Sequence, residues 1–376
     1  MPELTEASAA EYDNILHGKM TPAIAAQYLR EGRIVLRTFG DVLREVYPAP
    51  DILSRLSDFF SADDPGASQQ SVQRKIRNWI ADKHPPQNRE DIYKIAFALS
   101  LDESQLNHLL GMCGDYGIQY RDCRELVLSW HLRHGMSYGE ALEFYAGLPE
   151  MNSDGGTDDV ASQITQQIHY LSLMAQNQKD LKDLIYKNRD KFGKMHLRAF
   201  FYFDRFLNQL TNPTGYNDAH EEIYSAETVM NVYLSMHMPS SRKRDNYSLV
   251  QKLVKKNWPN ATSIKNIRSR KEDVSRKLLL LLYVVTENEG IVMDNYDYYD
   301  ETLTLEQRVE DHWYTINAML NDCGMVPLDP RNASDWLILY AVSTDDEDTP
   351  MSERLEQVIK FMFDDSPDED EGAPEE

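Results

Sequence analysis

Apolar residues return every three or four positions along almost the whole chain, as in Phe39, Val42, Leu43, Val46, then Ile52, Leu53, Leu56, Phe59, Phe60, then Ile92, Ile95, Ala96, Leu99. That period places side chains on one face of an α-helix, whereas a half-buried strand needs alternation by two, which is sustained nowhere here. The expected fold class is all-α, with short strands at most near 34–36 or 290–293. Each striped helix must bury its stripe against another. A chain of 376 residues with 41% hydrophobic content can build more than one core, so two domains are expected. The longest apolar run, Leu278 to Val285, is too short to span a bilayer, and the N-terminus lacks the basic start and apolar stretch of a signal peptide. The expectation is a cytoplasmic protein with no membrane partner. Cys113, Cys123 and Cys323 are odd in number and form no CxxC pair, so they read as small buried apolar groups, not a disulfide framework or zinc ribbon.

A polar stretch at 149–159, PEMNSDGGTDD, carries no apolar stripe and reads as a linker between an N-terminal helical domain at 1–148 and a C-terminal helical domain at 160–363. Beyond it, 160–210 predicts two or three helices, with the stripe Phe200, Phe201, Phe203, Phe206, Leu207, Leu210 stopped by Asn212, Pro213 and Gly215. The last 13 residues, 364–376, hold eight acidic side chains and almost nothing to bury, which predicts a disordered tail. The chain has 39 Lys and Arg against 62 Asp and Glu, a net charge of −23, so its mean field repels phosphate. Yet Arg242 to Lys277 holds 12 basic residues against three acidic ones. A basic surface is therefore local if it exists, and the acidic tail is a candidate to fold back onto it.

The second half echoes the first. NHLLGMCGDYGIQYRDCRELVLSW at 107–130 aligns without a gap to NAMLNDCGMVPLDPRNASDWLILY at 317–340, matching Leu110 to Leu320, Cys113 to Cys323, Gly114 to Gly324, Arg121 to Arg331, Glu125 to Asp335 and Trp130 to Tyr340. Upstream, Glu90, Asp91, Ile92 match Glu272, Asp273, Val274 at a different spacing. This reads as a diverged copy of one helical unit at 261–342.

The strongest functional signal lies at 51–110. After an apolar helix at 51–60 and a turn-rich stretch at 61–67 comes SQQSVQRKIRNW. Val72, Ile76, Trp79 and Ile80 share one helical face, leaving Gln70, Gln73, Arg74 and Arg77 on the other. Gln and Arg can each bond two atoms of a base edge, and a helix N-terminus favours a nearby phosphate. A Pro85–Pro86 break and NREDIYKIAFALSLDESQLNHLL follow.

On SQQSVQRKIRNW and the two helices after it, 51–110 resembles the Cro and phage-repressor-like (XRE-like) helix-turn-helix family, over about a sixth of the chain. The resemblance implies a five-helix fold whose recognition helix enters the major groove of double-stranded DNA. It implies base-edge contacts from Ser68, Gln69, Gln70, Gln73 and Arg74, and phosphate contacts from Lys75, Arg77 and Lys83. The stretch 61–67 is longer than the family's tight turn. A second basic surface is expected at Lys252, Lys255, Lys256, Lys265, Arg268, Arg270 and Lys271, where Tyr247 and Trp258 interleave with the cations.

Other patterns lead elsewhere. Gly135-Met-Ser137-Tyr-Gly139 fits a hydrolase nucleophile elbow, but the preceding pattern is helical and Ser137 with Glu140 makes a helix-capping box. Cys113, Cys123, His131 and His134 lack zinc-ligand spacing and read as buried cysteines and surface histidines. The acidic run 294–300 lacks the glycine and final glutamate of a calcium loop. The expected protein is a non-enzymatic, sequence-specific DNA-binding regulator with no cofactor and no metal, whose C-terminal domain senses, oligomerises or binds a protein partner. The alternative is a helical protein-interaction scaffold that keeps the repressor-like fold without touching DNA.

Overall fold

The computed structural model describes residues 4–149, 164–213, 223–239, 247–287, 304–343 and 349–364. The expected linker beyond Pro149, the acidic run 294–300, the tail beyond Asp364 and the candidate strand at 290–293 lie outside them. The described residues are all-α: they form no strand, only one isolated antiparallel bridge between Tyr116 and Met325, and 34–36 is irregular.

The first half contains α1 (Glu6–His17), α2 (Pro22–Arg30), α3 (Phe39–Val46), α4 (Ile52–Asp63), α5 (Gln69–Ile80), α6 (Arg89–Leu99), α7 (Glu103–Cys113), α8 (Cys123–Arg133) and α9 (Tyr138–Ala146). All but α4 begin on a Thr, Ser, Asn or Asp whose side chain accepts a hydrogen bond from the first turn, each cap contributing about 1 kcal/mol. The second half contains α10 (Ile164–Met174), α11 (Gln178–Lys187), α12 (Leu197–Thr211), α13 (Ala226–Val229, continued by a π turn Met230–Leu234), α14 (Leu249–Lys255), α15 (Ala261–Arg268), α16 (Arg276–Glu287), α17 (Leu305–Asp322), α18 (Ala333–Val342) and α19 (Met351–Phe363). No described helix is long and apolar enough to cross a membrane.

These helices bury two cores, and the cores do not divide at 149–159. One gathers α3 to α9 together with Ile168, Leu181, Ile185 and Phe192 from beyond the expected linker. The other gathers α12 to α19 together with Tyr12, Ile15, Ala25, Leu29 and Ile34 from the start of the chain. Each half thus lends its leading helix pair to the other. Glu11 of α1, nearly buried, accepts from the Trp336 indole at 2.7 Å and from the Tyr28 hydroxyl at 2.9 Å. The Trp130 indole donates to the Ala175 carbonyl beyond α10 at 3.0 Å.

The segments that lead into α3 and α12 are held the same way. Gly193 N–H donates to the Arg121 carbonyl at 3.0 Å, and the Arg121 guanidinium donates back to the carbonyls of Lys191 and Met195 at 2.9 and 2.8 Å. Arg37 N–H donates to the Arg331 carbonyl at 3.1 Å, and the Arg331 guanidinium donates back to those of Val35 and Leu36 at 2.8 and 3.2 Å.

Further bonds recur at positions 210 apart. The Asn107 and Asn317 side chains accept from Ile118 N–H and Leu328 N–H, both at 2.7 Å. Gln119 N–H donates to Glu125 at 2.8 Å and Asp329 N–H to Asp335 at 2.9 Å. Arg89 binds Glu125 and the carbonyls of Tyr116 and Gly117; Arg276 binds Asp335 and the carbonyls of Val326 and Pro327. Arg276 makes toward Asp335 the contacts that Arg89 makes toward Glu125, although the two arginines lie 187 positions apart. Glu272, Asp273, Val274 precede α16, where Asp273 instead receives His196.

Candidate nucleic-acid interface

Helix α5 is fixed by three contacts. Its apolar residues Val72, Ile76 and Trp79 are buried, with the Trp79 ring edge-on to Phe60 of α4 at 5.3 Å. At its N-terminus the connector from α4 folds through Asp64, which accepts from Gly66 N–H at 3.2 Å, and Ser68 caps the helix by accepting from Ser71 N–H at 3.2 Å. At its C-terminus Asp82 adopts a left-handed φ of 56° and accepts from Gly40 N–H of α3 at 2.7 Å, while Arg44 donates to the Ile80 carbonyl at 3.0 Å. Gly40 permits this approach, because a Cβ there would lie 2.5 Å from the Ile80 oxygen. Neither Gly40 nor Asp82 stands out in the sequence, because their contact joins residues 42 positions apart.

The opposite face of α5 is open. Gln69, Gln70, Arg74 and Arg77 are exposed and Gln73 is half-buried. Gln70, Gln73, Arg74 and Arg77 form one stripe about 10 Å long at 1.5 Å per residue, comparable to the width of a major groove. Arg74, Arg77 and Lys83 are exposed and form no ion pair with the described residues. Ser68 is exposed too, with its hydroxyl already serving as the cap.

Lys75 differs. Its ammonium sits 3.1 Å from the Asp91 carboxylate and over the rings of Trp79 and Phe60 at 4.7 and 5.3 Å, so its charge is matched inside the unit. Beside it, Lys94 pairs with Asp63 at 2.6 Å. Between these pairs α4, α5 and α6 leave a polar groove of about 460 Å³. The exposed cations of this helix with no ion pair among the described residues are therefore Arg74 and Arg77.

The second basic stretch divides into surface and interior. Lys252, Lys256, Lys265, Arg268 and Lys271 are exposed, and Lys255 is half-buried with its ammonium 5.1 Å from the Tyr247 ring. Arg270 lies against the Phe200 ring with its guanidinium carbon 3.3 Å from the centroid, and burial lowers its pKa. Arg276 is buried on Asp335. The Lys277 ammonium donates to the carbonyls of Leu253 and Val254 at 3.2 and 2.7 Å and to that of Lys256, closing the end of α14; burial pushes its pKa down to about 8.

Ser137 caps α9: its hydroxyl accepts from Glu140 N–H at 3.2 Å while the Glu140 carboxylate accepts from Ser137 N–H at 2.7 Å. Cys123 and Cys323 are buried, and the Cys113 thiol donates to the Pro86 carbonyl at 3.0 Å. His134 is exposed, but His131 is fully buried, which corrects its placement at the surface. Its Nδ1 meets the Val127 carbonyl at 2.8 Å and its Nε2 meets Gln178 of α11 at 3.2 Å. No group of three or more His, Cys, Asp or Glu side chains among the described residues could hold a metal ion. Comparison with protein-family models, curated proteins and solved structures gave no match.

Proposed function

We propose that the chain is a sequence-specific, double-stranded-DNA-binding regulator, with α5 as the helix that meets the duplex. The observation that carries this reading is the unpaired stripe of exposed Gln70, Arg74 and Arg77 with half-buried Gln73, on a helix whose other face is locked by Phe60, Gly40 and Arg44. A rigid helix presenting bidentate donors can discriminate bases by about 1–3 kcal/mol per well-made pair. Gln69, Gln70, Gln73 and Arg74 face the base edges, Ser68 begins the helix, and Arg77 and Lys83 hold phosphates. Lys75 supports the helix from behind through Asp91.

The test is Arg74→Ala with Arg77→Ala on a selected duplex. Binding should weaken and become less salt-dependent, while the melting temperature stays at the wild-type value because neither side chain has a described partner. Equal, salt-insensitive binding by both proteins would end the proposal. A second reading, a protein partner or a second copy on the C-terminal half, is favoured by Leu249, Val232 and Leu253, which stand 65%, 60% and 39% exposed. Co-purification with one stoichiometric protein and no nucleic-acid absorbance would select it.

A further inference from the structure

The bonds that recur along the chain are reciprocal between its two halves. The bridge between Tyr116 and Met325 is antiparallel, and Gly117 N–H donates to the Gly324 carbonyl at 2.9 Å, so a turn pairs with its own counterpart 210 residues later. Self-pairing of equivalent segments is the pattern of an isologous, two-fold contact. The reciprocal Arg121 and Arg331 straps, and the exchange of leading helices between cores, obey the same relation.

α5 lies just ahead of the helix that begins at Arg89 and α15 just ahead of the helix that begins at Arg276, which places them at corresponding points displaced by 188 positions; both close on a C-terminal turn that α2, α8 and α17 also use. Ala81, Asp82 and Lys83 N–H donate to the carbonyls of Arg77, Trp79 and Asn78; Ser269, Arg270 and Lys271 N–H donate to those of Lys265, Ile267 and Asn266. Asp82 and Arg270 take left-handed φ values of 56° and 57°. Ile76 and Trp79 are buried in one helix, and Ile264 and Ile267 in the other. The correspondence carries Arg77 to Lys265 and Lys83 to Lys271, all four exposed cations. It carries Gln73 and Arg74 to Ala261 and Thr262, while Gln70 falls before α15 begins. The positions assigned to phosphates keep their charge, and those assigned to base edges lose the glutamine amide and the arginine guanidinium, leaving only the Thr262 hydroxyl.

We propose that α15, through Lys265 and Lys271, is a second DNA-contacting surface of the same chain, one that holds phosphates without reading sequence. Lys265 and Lys271 form no ion pair with the described residues, and the nearby Glu272 carboxylate is occupied by the Asn266 amide at 2.8 Å. The inference rests on the reading of α5 as a DNA-binding helix and is tested separately from it.

The experiment compares wild type, Lys265→Ala with Lys271→Ala, and Arg74→Ala with Arg77→Ala, as full chains, on a duplex selected by the wild type and on a scrambled one. Losing two phosphate contacts should lower the slope of log affinity against log salt by about 1.8. For the lysine variant the expected result is that loss of slope, weaker binding to both duplexes by a similar factor, and an unchanged ratio between them. Wild-type affinity and slope in the lysine variant, with the arginine variant impaired, would overturn the second surface and leave the α5 reading standing. A fall confined to the selected duplex would also overturn it, since α15 would then be reading bases. Wild-type binding by the arginine variant would remove the α5 reading itself. Melting curves for both variants separate loss of contact from loss of fold.

Discussion

Replacing Asp335 by Ala strips the buried guanidinium of Arg276 of its counter-charge. The Arg276 and Asp335 side chains are 8% and 2% exposed, whereas in the corresponding pair Arg89 and Glu125 are 33% and 13% exposed. Burial pushes the Asp335 carboxyl up and the facing guanidinium pulls it back down, so the pair holds two helices in register while its own net stabilisation is small. Removing one partner is another matter, because an uncompensated buried charge costs about 3–5 kcal/mol. Asp335→Ala should lose that much, and also the acceptor for Asp329 N–H. Glu125→Ala should lose less, about 1–3 kcal/mol, since water can reach the orphaned Arg89, although the Gln119 N–H and the Tyr93 hydroxyl also lose their acceptor. Urea denaturation followed by far-UV circular dichroism measures both. Arg276→Met combined with Asp335→Leu should recover much of the loss, with about 1 kcal/mol remaining for each undonated carbonyl of Val326 and Pro327 and for the Asp329 N–H left without its acceptor. Equal costs for the two single variants, or a cost below about 1 kcal/mol for Asp335→Ala, would refute the assignment of Arg276 as an interior clamp.

Gly40→Ala should destabilise by about 1–3 kcal/mol, because its Cβ would meet the Ile80 carbonyl oxygen at 2.5 Å and an Asp82 carboxylate oxygen at 2.7 Å and push α5 off α3; an unchanged thermal melt would contradict that packing. Burial lowers the pKa of His131 and pushes that of His312, bonded to the Tyr283 hydroxyl at 2.8 Å, down to about 4. Both are neutral when folded and take up protons more readily when unfolded, so their stability is complete above pH 6.5 and declines as pH falls from there toward 4. Urea midpoints should drop between pH 7 and pH 5 in wild type and drop less in His312→Gln; a flat wild-type profile would show that these rings are not held neutral.

What was legible from sequence was local. Helix period, the capping box of Ser137 and Glu140, and the amphipathic split of α5 each depend on residues within a turn or two of one another. The partner exchange was not legible, because Glu11 meets Trp336 and Arg331 meets Val35 across most of the chain, and nothing in a linker's composition reports which core its flanking helices join. The surroundings of single charges are not legible for the same reason. Lys75 lies on the edge of the polar stripe of α5, but Asp91, brought beside it by α6, matches its charge. Arg270 and Lys277 count equally in a local charge sum, yet one rests on Phe200 and the other caps α14 from within. His131 looked like a surface residue because α8 is buried around nearly its whole circumference, which erases the stripe that would have placed it.

If the open face of α5 chooses a DNA sequence, selection of bound duplexes from a random pool reveals that choice without assuming a site. The wild-type chain should enrich a defined motif, and Arg74→Ala should relax that motif at one position and leave the rest intact. Enrichment of no motif by the wild type, or of the same motif with undiminished selectivity by the variant, would contradict that choice.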